Sequence, residues 1–205
     1  VIIRKMTESD ITEIAELEKD CFSEPWSENS LRDELTNETA RFYVLRDGEN
    51  LLAYIGANNI CNEVYITNVA VNGNCRGKGY GKFLVNHLIK QSETERAFFI
   101  TLEVRKSNEN AIKLYEKCGF KLIGERKNFY SKPTENALIW SSSVISLPTV
   151  LINLGPYKIR PITIPIAPTK GIQKGTEALT PVPPDIIASL IAARGPIAFE
   201  TSFAP

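Results

Sequence analysis

Glu103 lies one residue before the end of the apolar run FFITLEV, and Tyr115 lies in the stretch NENAIKLYEKCG that follows it. A carboxylate and a phenol are residue types that can take up and return a proton in general acid–base chemistry. Upstream, RGKGYGK sets Gly77, Gly79 and Gly81 at every second position among Arg76, Lys78, Tyr80 and Lys82. This turn separates VYITNVAV, which reads as a strand ending at Val71, from FLVNHLIKQ, which reads as a helix beginning near Gly79. Free N–H groups and the dipole at such a helix start favour an anion, and phosphate is the usual occupant. Plainer readings stand beside these. The glycines could simply make a tight turn, Glu103 could be a structural acid paired with Arg105 or solvated at a strand end, and Tyr115 could be a core aromatic on the stripe Ala111, Leu114, Tyr115, Cys118.

Period-two alternation in FFITLEV puts Phe98, Ile100, Leu102 and Val104 on one face, with Phe99, Thr101 and Glu103 on the other. Glu103 is thus expected at the carboxyl end of a central strand, where open α/β sheets bind ligands. Asn108 reads as a helix cap and Gly119 as the residue just past that helix. Before the glycine turn, VIIRK is a strand and Thr7 caps a helix carrying Ile11, Ile14, Leu17 and Cys21. FSEPW interrupts, Ser27 caps a second helix, and three strands follow, with Asp47-Gly48 at the first hairpin turn. KLIGERKNFY and ENALIWSSSV close the pattern around Pro133. The order βααβββαβαββ implies an α/β fold, a mixed sheet with helices on both faces. His87 is expected on the surface of its helix, away from Leu84 and Leu88.

Composition narrows the function classes. In 205 residues, 24 basic and 24 acidic side chains balance to zero net charge, so no electrostatic grip on nucleic acid or membrane is expected. Cys21, Cys61, Cys75 and Cys118 are scattered, with no C-x-x-C pair, which argues against a zinc site and for a reducing, cytoplasmic setting. No signal-peptide core and no long apolar span is visible, so a soluble protein is expected. From residue 145 the chain changes character: 10 of the 12 prolines, and only eight charged residues among 61, lie in 145–205. Residues 1–144 are read as one domain. The tail is read as a partner-binding arm, a linker or a stretch without a selected fold, such as readthrough; an opening Val is compatible with the last.

Two phosphate loops fail on spacing. A Walker A loop needs a hydroxyl where Gly79 stands, and in a dinucleotide fingerprint the third glycine comes one residue later than Gly81. ATP and NAD are therefore disfavoured. R-x-x-G-x-G, Arg76 to Gly81, instead resembles the coenzyme A pyrophosphate signature of the GNAT acetyltransferase superfamily. LEVRKSNENAIKLYEKCGF, with CFSEPWSENSLRDEL and ERKNFY, is similar to the bacterial ribosomal-protein alanine N-acetyltransferases over residues 1–144.

The resemblance implies acetyl-CoA as co-substrate, no metal, and a protein N-terminus as acceptor, the N-terminal alanine of a small-subunit ribosomal protein. It assigns the base to Glu103 and the acid to Tyr115. It also lays the pantetheine arm along Val69, Ala70 and Val71 like an added strand, with Asn108 in contact and the pyrophosphate over Arg76, Gly77, Lys78, Gly79, Tyr80, Gly81 and Lys82. Phe22, Pro25, Trp26 and Tyr130 are candidates for a wall of the peptide groove, or for an aromatic core. Acetylation of a lysine or small amine, or a non-catalytic acyl-CoA-binding module, remain alternatives.

Overall fold

A computed structural model describes residues 1–144. The expected order is present: β1 (Ile2–Lys5), α1 (Ile11–Cys21), α2 (Glu28–Asp33), β2 (Tyr43–Asp47), β3 (Asn50–Ile60), β4 (Glu63–Val71), α3 (Tyr80–Thr94), β5 (Phe99–Arg105), α4 (Glu109–Lys117), β6 (Lys121–Ser131) and β7 (Thr134–Ser143). One 3-10 turn, Glu8–Asp10, precedes α1. The strands form a single sheet in the order β1-β2-β3-β4-β5-β7-β6. Every neighbouring pair is antiparallel except β4 and β5.

Local chemistry explains the element boundaries. The Ser27 hydroxyl accepts from the Ser30 N–H at 3.1 Å, and the Asn108 carboxamide accepts from the Ala111 N–H at 3.1 Å, so each caps its helix as expected. Gly119 takes φ 88° just beyond α4, a left-handed conformation that costs a glycine little. The helices bury one stripe each. α1 and α2 pack Ile11, Ile14, Leu17 and Leu31 with Val44, Tyr54 and Ala70 on one face of the sheet. Leu84, Val85 and Leu88 of α3 and Ala111 and Tyr115 of α4 pack with Val69, Ile100, Leu102 and Val104 on the other.

The sheet divides at its centre. The parallel ladder between β4 and β5 runs from Glu63↔Phe99 only to Ile66↔Leu102, while β5 stays paired with β7 as far as Arg105↔Ala137. At this point Gly56 faces Asn68 and Ala57 faces Ile66, leaving Thr67 as an extra residue, a β-bulge. The extra residue switches the alternation, so Val64 and Ile66 before it, and Val69 and Val71 after it, enter the same core. A Cβ on Gly56 would lie 2.6 Å from the Phe42 ring and 2.8 Å from Thr67 Oγ1. Only glycine leaves room for the bulge there.

Two expectations are corrected. Phe98 precedes β5 and is 52% exposed, while Ala97 takes the buried place beside it. His87 is half-buried, its ring edge-on to Tyr43 at 4.7 Å. Lying three residues after Leu84, it flanks the buried stripe of α3 rather than opposing it. Burial, with Lys90 nearby, lowers its pKa. The reading of 145–205 as arm, linker or readthrough concerns residues outside those described.

The start of α1 is tied to the sheet by charge. Asp10 is fully buried and bonded by Arg4 at 2.6 and 2.8 Å, Arg46 at 3.0 Å, and the Thr7 N–H and hydroxyl at 2.9 and 2.8 Å. Burial alone would raise this carboxyl, but the Arg4 and Thr7 hydrogen bonds and the Arg4 charge outweigh it and hold the pKa at about 2. Against an ordinary value near 3.8 this stabilises the fold by about 2 kcal/mol. A depressed carboxylate contributes fully above its unfolded pKa and loses that contribution as pH falls through the folded one. Asp10→Asn is therefore expected to cost about 2 kcal/mol in urea unfolding at pH 7, with the gap from the native chain narrowing as pH is lowered from 5 toward 2.

Candidate active site

After β4 the chain makes a 3-10 turn, Gly73–Cys75, held by Asn72, whose side chain accepts from the Asn74 N–H at 3.1 Å. Gly77 and Gly79 then adopt φ 76° and 85°, which explains why glycine is needed at both places. The first bond of α3 is Phe83 N–H to Gly79 O at 3.0 Å. The N–H groups of its opening turn therefore have no intrahelical acceptor and point out of the helix end.

Beside this end lies a cleft of about 460 Å³, walled by Arg76, Gly77, Gly79, Tyr80, Gly81 and Lys82 and, across from them, by Asn110, Lys113, Leu114 and Lys117 of α4. Sequence reading missed the α4 lysines, although Asn110, Lys113, Leu114 and Lys117 share helical spacing on one face. Lys78 is exposed and does not line the cleft. Arg76 turns back toward the sheet: Nε donates to the Val71 carbonyl at 3.3 Å, and Nη2 lies 3.6 Å from Cys21 Sγ.

Val71 also lines the cleft, whereas Val69 and Ala70 are fully buried. The Asn72 N–H bonds the Leu52 carbonyl of β3 at 2.9 Å. In an antiparallel ladder bonded and non-bonded pairs alternate, so Ala70, opposite Tyr54, turns its backbone toward β3. Val69 and Val71 turn theirs the other way, into the opening between β4 and β5.

Glu103 is the first residue of β5 beyond the parallel ladder. Its side chain is on the α1/α2 side of the sheet, opposite to Leu102 and Val104. It is 7% exposed, and Arg126 Nη1 on β6 stands 3.3 Å from its carboxylate. Burial raises its pKa, and the Arg126 charge moderates the rise without cancelling it. Tyr115 is fully buried in the core of the α3/α4 side, its ring 5.7 Å from Phe120. Asn108, besides capping α4, is itself buried.

The expected aromatic wall divides. Phe22 and Tyr130 are buried at 6% and 4% exposure, while Trp26 is half-buried, 5.9 Å from Phe42, and Pro25 is exposed. Arg105 joins the two segments that carry them. Its guanidinium lies 4.2 Å over the Tyr130 ring and donates to the Lys132 and Pro133 carbonyls at 3.0 and 3.1 Å and to Ser23 Oγ at 3.2 Å. Ser131 and Lys132 also meet Glu24, at 3.2 and 3.6 Å. The Phe22–Trp26 stretch and the β6–β7 hairpin thus stand side by side over the carboxyl end of β5.

Among the described residues no cluster of His, Cys, Asp and Glu could hold a metal ion, and no helix is long and apolar enough to cross a membrane.

Comparison with known proteins agrees with this architecture. The acetyltransferase (GNAT) family model matches residues 11–120. A ribosomal protein bS18-alanine N-acetyltransferase of Haemophilus ducreyi is 34% identical over 143 residues, covering 67% of this chain and 97% of the relative. The counterpart of the same name in Haemophilus influenzae is 33% identical over 143 residues, covering 67% of this chain and 95% of its own. Among solved structures, the ribosomal-protein-S18-alanine N-acetyltransferase of Escherichia coli superposes with a TM-score of 0.67 at 27% identity, covering 73% of this chain and 97% of that one. The fold of Ard1 from Thermoplasma volcanium is also shared, with a TM-score of 0.66 at 23% identity over 70% of this chain and 97% of that one. The chain belongs to the acetyltransferase (GNAT) family.

Proposed function

We propose that this chain transfers acetyl from acetyl-CoA to the α-amine of a protein N-terminus, with the N-terminal alanine of ribosomal protein bS18 as acceptor. The observation that carries the reading is the division of the sheet. Val69 and Val71 turn backbone groups into the opening, and Glu103 is the first residue of β5 past the last ladder pair. An extended pantetheine arm fits there as an added strand, with Asn108 nearby. Its pyrophosphate then falls over the open end of α3, with Lys82, Lys113 and Lys117 around the cleft supplying charge. Arg76, bonded to Val71, acts by shaping the turn. Lys78 reaches the phosphates only from outside the cleft.

Glu103 and Tyr115 belong to opposite faces of the sheet, and the opening is the place that both faces share. We assign Glu103 as the base, taking the ammonium proton, and Tyr115 as the acid, returning one to the leaving thiolate. A carboxylate raised by burial is a better proton acceptor than a solvated one. The demand is modest for an α-amine, whose pKa of ~7.8 leaves it neutral a few hundred times more often at pH 7 than a lysine at ~10.4. Phe22, Trp26 and Tyr130, joined through Arg105, would wall the peptide path. The relatives named above support the acceptor, and we place the enzyme in the cytoplasm with it.

The acceptor is tested by incubating the chain with acetyl-CoA and a panel of alanine-initiated peptides, N-terminally blocked lysine peptides and polyamines, and locating the acetyl group by mass spectrometry. Acetyl on the alanine α-amine is expected; acetyl only on lysine or a polyamine overturns the choice. Glu103→Gln and Tyr115→Phe are expected to bind acetyl-CoA as the native chain does while losing on the order of 100-fold in turnover at pH 7. For Glu103→Gln the deficit narrows as pH rises from 7 to 9, because the amine then sheds its proton to solvent. Native turnover in both variants, followed by product release of CoA, removes the assigned roles.

A further inference from the structure

Glu18 is a fully buried acid on α1 that sequence reading passed over, although it falls on the apolar stripe between Ile14 and Cys21. Lys, Asp and Glu are rarely so deeply buried without a specific set of partners. One carboxylate oxygen, Oε1, accepts from the Tyr54 hydroxyl of β3 and from the Asn68 carboxamide of β4 at 3.1 Å. The other, Oε2, accepts from the backbone N–H of Trp26 at 2.8 Å. Tyr54 is itself fully buried, and burial together with the Glu18 charge raises its pKa well above the ordinary phenol value. Its proton therefore stays on the phenol, which remains a donor to Glu18.

These bonds tie three parts of the fold into one unit. Tyr54 and Asn68 belong to the central strands, and Asn68 is the residue next to the bulge that opens the sheet. Trp26 sits in the Phe22–Ser27 segment, which lacks regular structure between α1 and α2. That segment has no regular structure, so a charge-assisted bond to the Trp26 N–H near its far end fixes where the Trp26 ring stands relative to the opening.

We propose that Glu18 is a positioning residue for the acceptor: it sets the place of the Trp26 segment against β4, and so the affinity for the incoming peptide, without touching acetyl-CoA or the reacting atoms. This rests on the reading of the Phe22–Trp26 segment as a wall of the peptide path. A residue that acts only there changes acceptor KM and leaves both the coenzyme cleft and the proton steps alone.

The test is steady-state kinetics of the full chain with an alanine-initiated peptide as acceptor. Glu18→Gln keeps the volume but removes the charge and turns one oxygen into a donor facing N–H groups. It is expected to raise acceptor KM about tenfold, with kcat and acetyl-CoA KM within about twofold of native. Tyr54→Phe, which removes one donor and keeps the ring, is expected to raise acceptor KM in the same direction by about threefold, and decides the matter if Glu18→Gln does not fold. Unchanged acceptor KM overturns the proposal, as does a fall in kcat alone, or a parallel rise in both KM values with a lowered Tm. Trp26→Ala separates this idea from its premise. If Trp26→Ala raises acceptor KM while Glu18→Gln does not, the wall stands and the role of Glu18 is refuted; if Trp26→Ala also leaves it unchanged, the wall itself is refuted.

Discussion

The proposed function rests on a place where two strands stop pairing. β4 and β5 share four ladder positions and then part after Ile66 and Leu102. Buried backbone groups left without partners are costly, so a sheet rarely opens in its middle without something to fill the gap. The bulge at Thr67 makes the parting possible, and Gly56 makes the bulge possible by leaving out a side chain that would strike Phe42 and Thr67. The strand ends remain firm because each is held on its outer side, β4 by β3 and β5 by β7.

The rest of the molecule distributes itself around that opening. The face covered by α3 and α4 carries the glycine turn, the lysine-lined cleft and Tyr115. The face covered by α1 and α2 carries Glu103, the Trp26 segment and the buried Glu18. A two-substrate acetyltransferase has to bring a large anionic donor and a peptide amine to one carbonyl carbon without their colliding. In the proposed arrangement the two approach from opposite faces through one gap, and placing Glu103 on a strand and Tyr115 on a helix rather than on loops limits their freedom. Arg105 and the Asp10 network serve the same end from further away, by holding the hairpin and the start of α1 against the sheet.

Much of this was legible in the sequence because it depends on local chemistry. Ser27, Asn108 and Gly119 act through neighbours three or four positions away, and the glycines at 77 and 79 report the left-handed backbone of the turn directly. Features that depend on distant partners were not legible. Nothing near Thr67 in the chain announces a bulge, because the glycine that admits it lies on another strand. Arg76 reads as a phosphate ligand from its neighbours, whereas its bonds to the Val71 carbonyl and toward Cys21, made while it lines the cleft, are tertiary. Lys113 and Lys117 became cleft residues only once α4 was set beside α3. Glu18, an acid on a buried stripe, drew no reading, and His87 was misread because it lies on the edge of one. The proposed site residues follow from a family resemblance, whereas the geometry that would bring them together is tertiary.

The central claim is that Val69 and Val71 accept the donor as an added strand. Amide hydrogen exchange, measured residue by residue with and without acetyl-CoA, tests it directly. The Val69 and Val71 N–H groups are expected to exchange at least about tenfold more slowly once acetyl-CoA is bound, while Ala70, already turned to β3, changes little. Unchanged exchange at Val69 and Val71 under saturating acetyl-CoA would contradict the account.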